Sequence, residues 1–110
     1  MSNCIVVANS NAPEADAIAN AVRRRYAAVK VAPSRIGATV TEDTLALVLD
    51  ANCSEHHAID TLMEVLTRVH VPVLMIVPPD DPHCAVEAMR YGAASYLIKS
   101  GNYQDLVVTA

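Results

Sequence analysis

The chain has 110 residues, of which 53% are hydrophobic and 18% charged, and its 12 acidic residues against 8 Lys and Arg give a net charge of −4. This length suits one domain, residues 1–110, with a single layered core that needs neither disulfides nor metal, and the acidic balance argues against a nucleic-acid partner. The longest apolar run, 71–79, is far shorter than the roughly 20 residues of a membrane span, and the N-terminus lacks a secretory pattern, so we expect a cytoplasmic protein.

Apolar runs and helical patterns alternate along the chain. Continuous runs rich in Val, Ile and Leu are typical of strands that are covered on both faces, as in a parallel sheet. In chain order we predict strands at 4–7, 28–32, 45–49, 71–77 and 96–98. Helical patterns lie at 11–26, 54–69 and 81–91 and after Gly101, whereas 34–44 holds at most one or two helical turns. The apolar stripes of these helices, which include Tyr26, Met63 and Met89, are expected to face the sheet.

Two local patterns mark the ends of the first helix. Asn11 is the expected N-cap, and Glu14, three residues later, is close to a capping box. Arg23–Arg25, the only basic cluster, falls where this helix should end. Cations are favourable at a helix C-terminus, which explains the cluster; a patch for a partner or a phosphate group is the alternative.

Alternating strands and helices with right-handed crossovers predict a doubly wound parallel sheet with helices on both faces. For five strands the natural choice is the flavodoxin-like (βα)5 order 2-1-3-4-5, whose ligand site lies at the carboxyl ends of the strands. Asp50 follows the third strand and Lys99 the last, so the fold should bring them to one edge. Such an Asp can act as nucleophile toward a phosphoryl group that the Lys contacts; a structural ion pair is the alternative.

Three segments resemble response-regulator receiver domains. Residues 45–50, LALVLD, resemble the strand that carries the phosphoacceptor aspartate of that family, and 71–77, VPVLMIV, resemble its fourth strand. Residues 88–99, AMRYGAASYLIK, resemble the stretch that ends in its invariant lysine. The likeness covers the whole chain and is strongest from Leu45 to Lys99. It implies a receiver-type fold and a regulatory domain of bacterial two-component (phosphorelay) signalling, not an enzyme.

The resemblance also implies roles for single positions. Asp50 takes the phosphoacceptor position and Lys99 that of the phosphate-contacting lysine, while Val77 and Tyr96 take the two switch positions. Asn52 would offer its backbone carbonyl to a magnesium ion. Asp50 and Asn52 are therefore the expected ligands if magnesium binds.

The sequence departs from the receiver pattern in this same pocket. Receivers hold magnesium with an acidic pair after the first strand, where this chain has Ala8–Asn9, and they end the fourth strand with Ser or Thr, where it has Val77. Magnesium prefers carboxylate ligands, and Asp50 is the one that remains. We therefore expect a degenerate receiver that is phosphorylated poorly and acts through protein–protein interaction. A docking or dimerisation module that never uses phosphorylation is the alternative.

A small metal-dependent enzyme is a second alternative. Cys53, His56, His57, His83 and Cys84 have zinc-compatible side chains and flank the predicted crevice. However, His56 and His57 are adjacent and would point about 100° apart on a helix. Surface histidines and reduced, buried cysteines explain these residues without a metal.

Receivers usually signal through the face that their fourth helix, last strand and last helix form. In this chain that face carries Arg90, Tyr91 and Tyr103, large side chains of the kind that anchor interfaces. We expect a homodimer, or contact with a cognate signalling protein or a fused output or sensor domain, through this face. We also expect the chain to be the N-terminal part of a longer signalling protein.

Overall fold

The computed structural model describes residues 4–8, 12–24, 26–31, 40–41, 44–50, 57–79 and 82–99. The strands are β1 (Ile5–Ala8), β2 (Ala28–Val31), β3 (Ala46–Asp50), β4 (Val73–Val77) and β5 (Ser95–Ile98). The helices are α1 (Ala12–Val22), α2 (His57–Arg68) and α3 (Pro82–Arg90). The helix predicted after Gly101 lies outside the described residues. Among these residues no helix has both the length and the apolar character that crossing a bilayer requires.

The five strands run parallel in one sheet, in the order β2-β1-β3-β4-β5. This is the predicted 2-1-3-4-5 order, so the flavodoxin-like doubly wound fold is confirmed. The continuous apolar runs form central strands because a parallel sheet is covered on both faces. Every residue of β4 is buried, and β1 and β3 are buried apart from their first residues.

Two core layers lie on opposite faces of the sheet, because successive residues of a strand point to opposite sides. The layer under α2 and α3 includes Val6, Leu49, Leu62, Val65, Met75 and Ala88. The layer under α1 includes Val7, Ile18, Ala19, Val22, Val48 and Ile76. The helical stripes therefore face the sheet as predicted over most of their length.

Three residues of those stripes are not buried. Tyr26, Met63 and Met89 are each more than 40% exposed, so their predicted burial is wrong. Tyr26 lies beyond the end of α1, where its amide donates to the carbonyl of Val22 at 2.9 Å. Met63 and Met89 directly follow fully buried residues of α2 and α3, and so lie at the margin of the apolar stripe, where the sheet no longer covers them.

Gly92 ends α3 and leads the chain into β5, as the sequence predicts. Its amide donates to the carbonyl of Met89 and that of Ala93 to Ala88, the hydrogen-bond pattern of a Schellman cap. Gly92 has a φ of 111°, which side chains rarely tolerate, and a Cβ there would lie 2.8 Å from Cδ1 of Leu66. This tight turn sets the start of β5 and with it the position of the residue that follows the strand.

Candidate functional site

The carboxyl ends of β3 and β5 bring Asp50 and Lys99 to the same edge of the sheet. Asp50 is the last residue of β3 and lies opposite Ile76 of β4. Lys99 directly follows β5, and its amide donates to the carbonyl of Val77 at 2.8 Å. Only β4 separates the two residues, so their side chains meet across the end of that strand.

Asp50 and Lys99 form the predicted ion pair. The Nζ atom of Lys99 lies 3.0 Å from Oδ2 of Asp50. The side chain of Asp50 is 2% exposed and that of Lys99 15%. Water therefore screens this attraction far less than it would at the surface. A carboxylate buried to this extent requires a partner of opposite charge or hydrogen-bond donors.

Glu14 is a third member of this group, which the sequence analysis missed. Its Oε1 atom accepts a hydrogen bond from Nζ of Lys99 at 2.9 Å, across 85 positions of sequence. We call Glu14, Asp50 and Lys99 the acid–lysine cluster. Glu14 looked like a capping residue because it lies in the first turn of α1. That turn starts at the carboxyl edge of the sheet, as every helix after a parallel strand does, and this rule would have indicated Glu14.

The acid–lysine cluster holds two carboxylates and one ammonium group. Burial by itself lowers the pKa of Lys99, because it disfavours the charged form. Hydrogen bonds and charge attraction from Glu14 and Asp50 outweigh burial and raise the pKa above 10.5. The ammonium group therefore stays protonated throughout the physiological range and binds both carboxylates at once.

The other predicted pocket positions differ in what the structure describes. Ala8 is buried at the end of β1 and brings no side-chain oxygen to the carboxyl edge. Val77 is fully buried at the end of β4 and belongs to the core under α2 and α3. Asn9 and Asn52 lie outside the described residues. The two described positions at which the sequence departs from the receiver pattern, Ala8 and Val77, are thus buried and apolar.

Of the predicted switch and interface residues, Tyr96, Arg90 and Tyr91 lie on the surface, whereas Val77 is buried. Tyr96 is 44% exposed and lies opposite Met75 in the sheet. Arg90 and Tyr91, at the end of α3, are both exposed. Tyr103 lies outside the described residues. The roles of these positions in switching and association remain predictions.

The zinc-compatible residues gain no support as a metal site. Cys53 and His56 lie outside the described residues, as does the side chain of His57. His83 is exposed, whereas Cys84 packs against the core. Nowhere in the described ranges are three His, Cys, Asp or Glu side chains placed to hold a metal ion.

Known structures share this arrangement of strands and helices. No protein-family model matches the chain, and no curated protein matches it. NtrX from Brucella abortus superposes on 99% of the chain with a TM-score of 0.84 and 20% identity. The N-terminal signal receiver domain of a two-component response regulator from Bacteroides fragilis also superposes on 99%, with a TM-score of 0.84 and 18% identity. The chain has the receiver fold.

The receiver fold accounts for the full length of the chain but for only part of some relatives. The chain covers 93% of the Bacteroides fragilis receiver domain and 92% of the isolated receiver domain of Brucella abortus NtrX, the latter at a TM-score of 0.76 and 20% identity. It spans 26% of the longer NtrX chain. The TM-scores of 0.84 establish a shared fold, and identities of 18–20% show no more than that. The fold places Asp50 and Lys99 at the carboxyl edge, where ligands of doubly wound proteins bind.

We predict that Lys99→Met destabilises the protein by about 1–3 kcal/mol at neutral pH, because the buried Asp50 and its neighbour Glu14 lose their shared cation. Lys30→Met is the matched control. Lys30 also pairs with a carboxylate, that of Asp16, but both side chains are more than 40% exposed, and such a pair contributes at most about 1 kcal/mol. Urea denaturation measures both changes, and equal losses would contradict the prediction.

The effect of Lys99→Met also depends on pH in a defined direction. The pKa of folded Lys99 is raised, so its stabilising contribution is complete below the unfolded value of about 10.4 and is lost as the pH rises through the folded pKa. We expect the difference in unfolding free energy between the wild type and Lys99→Met to narrow in strongly alkaline solution. A difference that widens there would rule out this source of stability.

Proposed function

We propose that this chain is a degenerate receiver domain of two-component (phosphorelay) signal transduction, a cytoplasmic regulatory module and not an enzyme. It transmits its signal by protein–protein contact, without phosphoryl transfer to Asp50. The observation that carries this proposal is the position of Glu14. Its carboxylate lies 2.9 Å from Nζ of Lys99, the residue at the position where receivers contact the phosphoryl group.

The charge balance of the acid–lysine cluster disfavours an incoming phosphoryl group. With Asp50 included, two carboxylates and one ammonium group give the cluster a net charge of −1. The buried position of Asp50 screens charge poorly. The ammonium group of Lys99 already donates to both carboxylates. An ammonium group has three N–H donors, so the two carboxylates leave at most one of them for a phosphoryl oxygen.

Magnesium fits the described pocket residues poorly. Ala8 provides no side-chain ligand where receivers carry an acid. The carboxylates of Asp50 and Glu14 both lie within 3.0 Å of the ammonium group of Lys99. A divalent cation bound to either carboxylate would therefore lie close to the ammonium group of Lys99, and the two positive charges would repel each other. The proposed function involves no magnesium.

The exposed surface of α3 and β5 is suited to protein contact. Five large hydrophobic side chains there are each at least 40% exposed: Val86, Met89, Tyr91, Tyr96 and Ile98. We call them the α3–β5 face, since α3 packs next to β5. Exposed apolar side chains that cluster in this way favour burial by association.

The position of β5 at the edge of the sheet supports the assignment of this surface as an interface. In the described sheet β5 pairs with β4 alone and forms an edge. Tyr96 lies opposite Met75 and Ile98 opposite Val77, whose side chains lie in the core under α2 and α3. Tyr96 and Ile98 thus extend that core beyond the margin of α3. A partner that packs there would continue the apolar layer.

We predict that acetyl phosphate with magnesium leaves Asp50 largely unmodified. The net negative charge of the acid–lysine cluster repels the phosphoryl group, and the ammonium group of Lys99 is held by the two carboxylates. Intact-mass spectrometry over time measures the modification, with Asp50→Asn as the blank. A receiver domain that retains its acidic pair, treated in parallel, shows that the reagent is active. Rapid stoichiometric modification that disappears in Asp50→Asn would overturn the proposed function.

We predict that the chain forms a homodimer through the α3–β5 face. Ile98→Glu should weaken dimerisation about tenfold or more, about 1.4 kcal/mol, because it places a charge in an apolar contact. Val29→Glu is the matched control, since Val29 is an aliphatic residue of similar exposure on β2, the opposite edge of the sheet. Sedimentation velocity over a range of concentrations distinguishes the variants. A monomer at high micromolar concentration, or a dimer that Ile98→Glu leaves intact, would exclude this interface.

A further inference from the structure

An apolar cleft of about 340 Å³ opens at the amino ends of the strands, at the opposite end of the sheet from the acid–lysine cluster. Its walls include Ile5, Val22, Tyr26, Leu45, Val48 and Leu74. We call this the amino-end cleft. Its volume is within the range of binding pockets for small ligands or for a few large side chains. It lies on the face of the sheet that α1 covers, because Val22, Val48 and Leu74 belong to that core layer.

Both the walls and the rim of the amino-end cleft are apolar. Tyr26 and Leu45 line the cleft and are both more than 40% exposed. Tyr26 lies in the turn that follows the end of α1 at Val22, and its amide donates to the carbonyl of Val22 at 2.9 Å. Leu45 precedes β3, and its amide donates to the carbonyl of Cys4 at 2.8 Å, which fixes this residue beside the start of β1. Two large hydrophobic side chains thus border an open apolar cleft.

Four of the described arginines lie at the end of the molecule where the cleft opens. The C-termini of helices that connect parallel strands lie at the amino ends of those strands, so three helices end here. Arg23 and Arg24 follow α1, Arg68 ends α2 and Arg90 ends α3, and each is exposed. The described connecting segments at this end, 26–27, 69–72 and 91–94, contain no Asp or Glu. Cations complement the helix C-termini. Arg23 and Arg24 follow α1, which covers the same face of the sheet as the cleft, and they give that side of the cleft a positive charge. Arg68 and Arg90 end helices that cover the opposite face.

We propose that the amino-end cleft binds an acidic amphipathic helix of a partner protein. Aliphatic side chains spaced at i, i+3, i+4 and i+7 on that helix would enter the cleft beside Tyr26 and Leu45. Its carboxylates would pair with Arg23 and Arg24 at the end of α1, and the opposite charges would speed association. This surface is separate from the α3–β5 face, and the proposal does not depend on the function proposed above.

The test is a titration of the ¹⁵N-labelled 110-residue chain with a helical peptide of about 14 residues that has leucines at those four positions and glutamates elsewhere. A second peptide has lysines in place of the glutamates. We expect the acidic peptide to shift the amide signals of Tyr26, Leu45 and Ala94, with affinity that falls as salt is added. The basic peptide should cause no such shifts.

Two pairs of variants separate the apolar and the charged contributions. Leu45→Glu should weaken peptide binding about tenfold or more, whereas Val86→Glu, the same change at an exposed aliphatic residue of α3, should not. Arg24→Glu should weaken it as well, whereas Lys30→Glu, which changes the net charge equally, should not. Thermal denaturation confirms that each variant is folded.

Three results would overturn the proposal. The first is absence of binding by the acidic peptide, or equal binding by the basic one. The second is a set of shifts centred on the α3–β5 face. The third is concentration-dependent shifts of Tyr26, Leu45 and Ala94 without any peptide, which would make a second copy of this chain the occupant of the cleft.

Discussion

The contact of Lys99 with two carboxylates is the interaction on which the carboxyl edge of this protein depends. The ammonium group joins the end of β5 to Asp50 of β3 and to Glu14 of α1, at 3.0 Å and 2.9 Å. Without it, a carboxylate that is 2% exposed would lie near a second one in surroundings that screen charge poorly. The same contact occupies two of the three N–H donors of Lys99. In the proposed function, stability of this edge and phosphoryl binding therefore compete for this side chain.

The sequence predicted those features that follow from the parallel sheet itself. Continuous apolar runs predicted the strands, and their alternation with helices through right-handed crossovers predicted a doubly wound parallel sheet. The flavodoxin-like order, the natural choice for five strands, then placed Asp50 and Lys99 at one edge. Glu14 was not predicted as a site residue, because its place in the first turn of a helix is already explained by capping. A contact across 85 positions leaves no pattern in the local sequence. Tyr26 was wrongly predicted to be buried for a different reason. Periodicity predicts which side of a helix is apolar, but it does not predict where the helix or the sheet beneath it ends.

The two ends of the molecule differ in charge because of how a doubly wound fold arranges its helices. Helices begin at the carboxyl edge, where Glu14 and Asp60 lie in first turns, and they end at the amino edge, where Arg68 and Arg90 lie in last turns. Each charge favours the helix end that carries it. Among the described helices only α2 carries both charges, since α1 has no basic residue in its last turn and α3 has no acidic residue in its first turn. Together the three described helices place two acids at the carboxyl edge and two arginines at the amino edge. The protein contacts proposed above rest on this distribution of charge and on the α3–β5 face.

The pKa of Lys99 reports most directly whether its ammonium group contacts both carboxylates in the folded protein. Selective ¹³C labelling of lysine side chains allows NMR titration of this residue in the wild type, in Glu14→Gln and in Asp16→Asn. We predict a pKa above 10.5 in the wild type, a lower value in Glu14→Gln, and no change in Asp16→Asn, since Asp16 pairs with Lys30. A wild-type value at or below 10.5 that Glu14→Gln leaves unchanged would contradict this prediction.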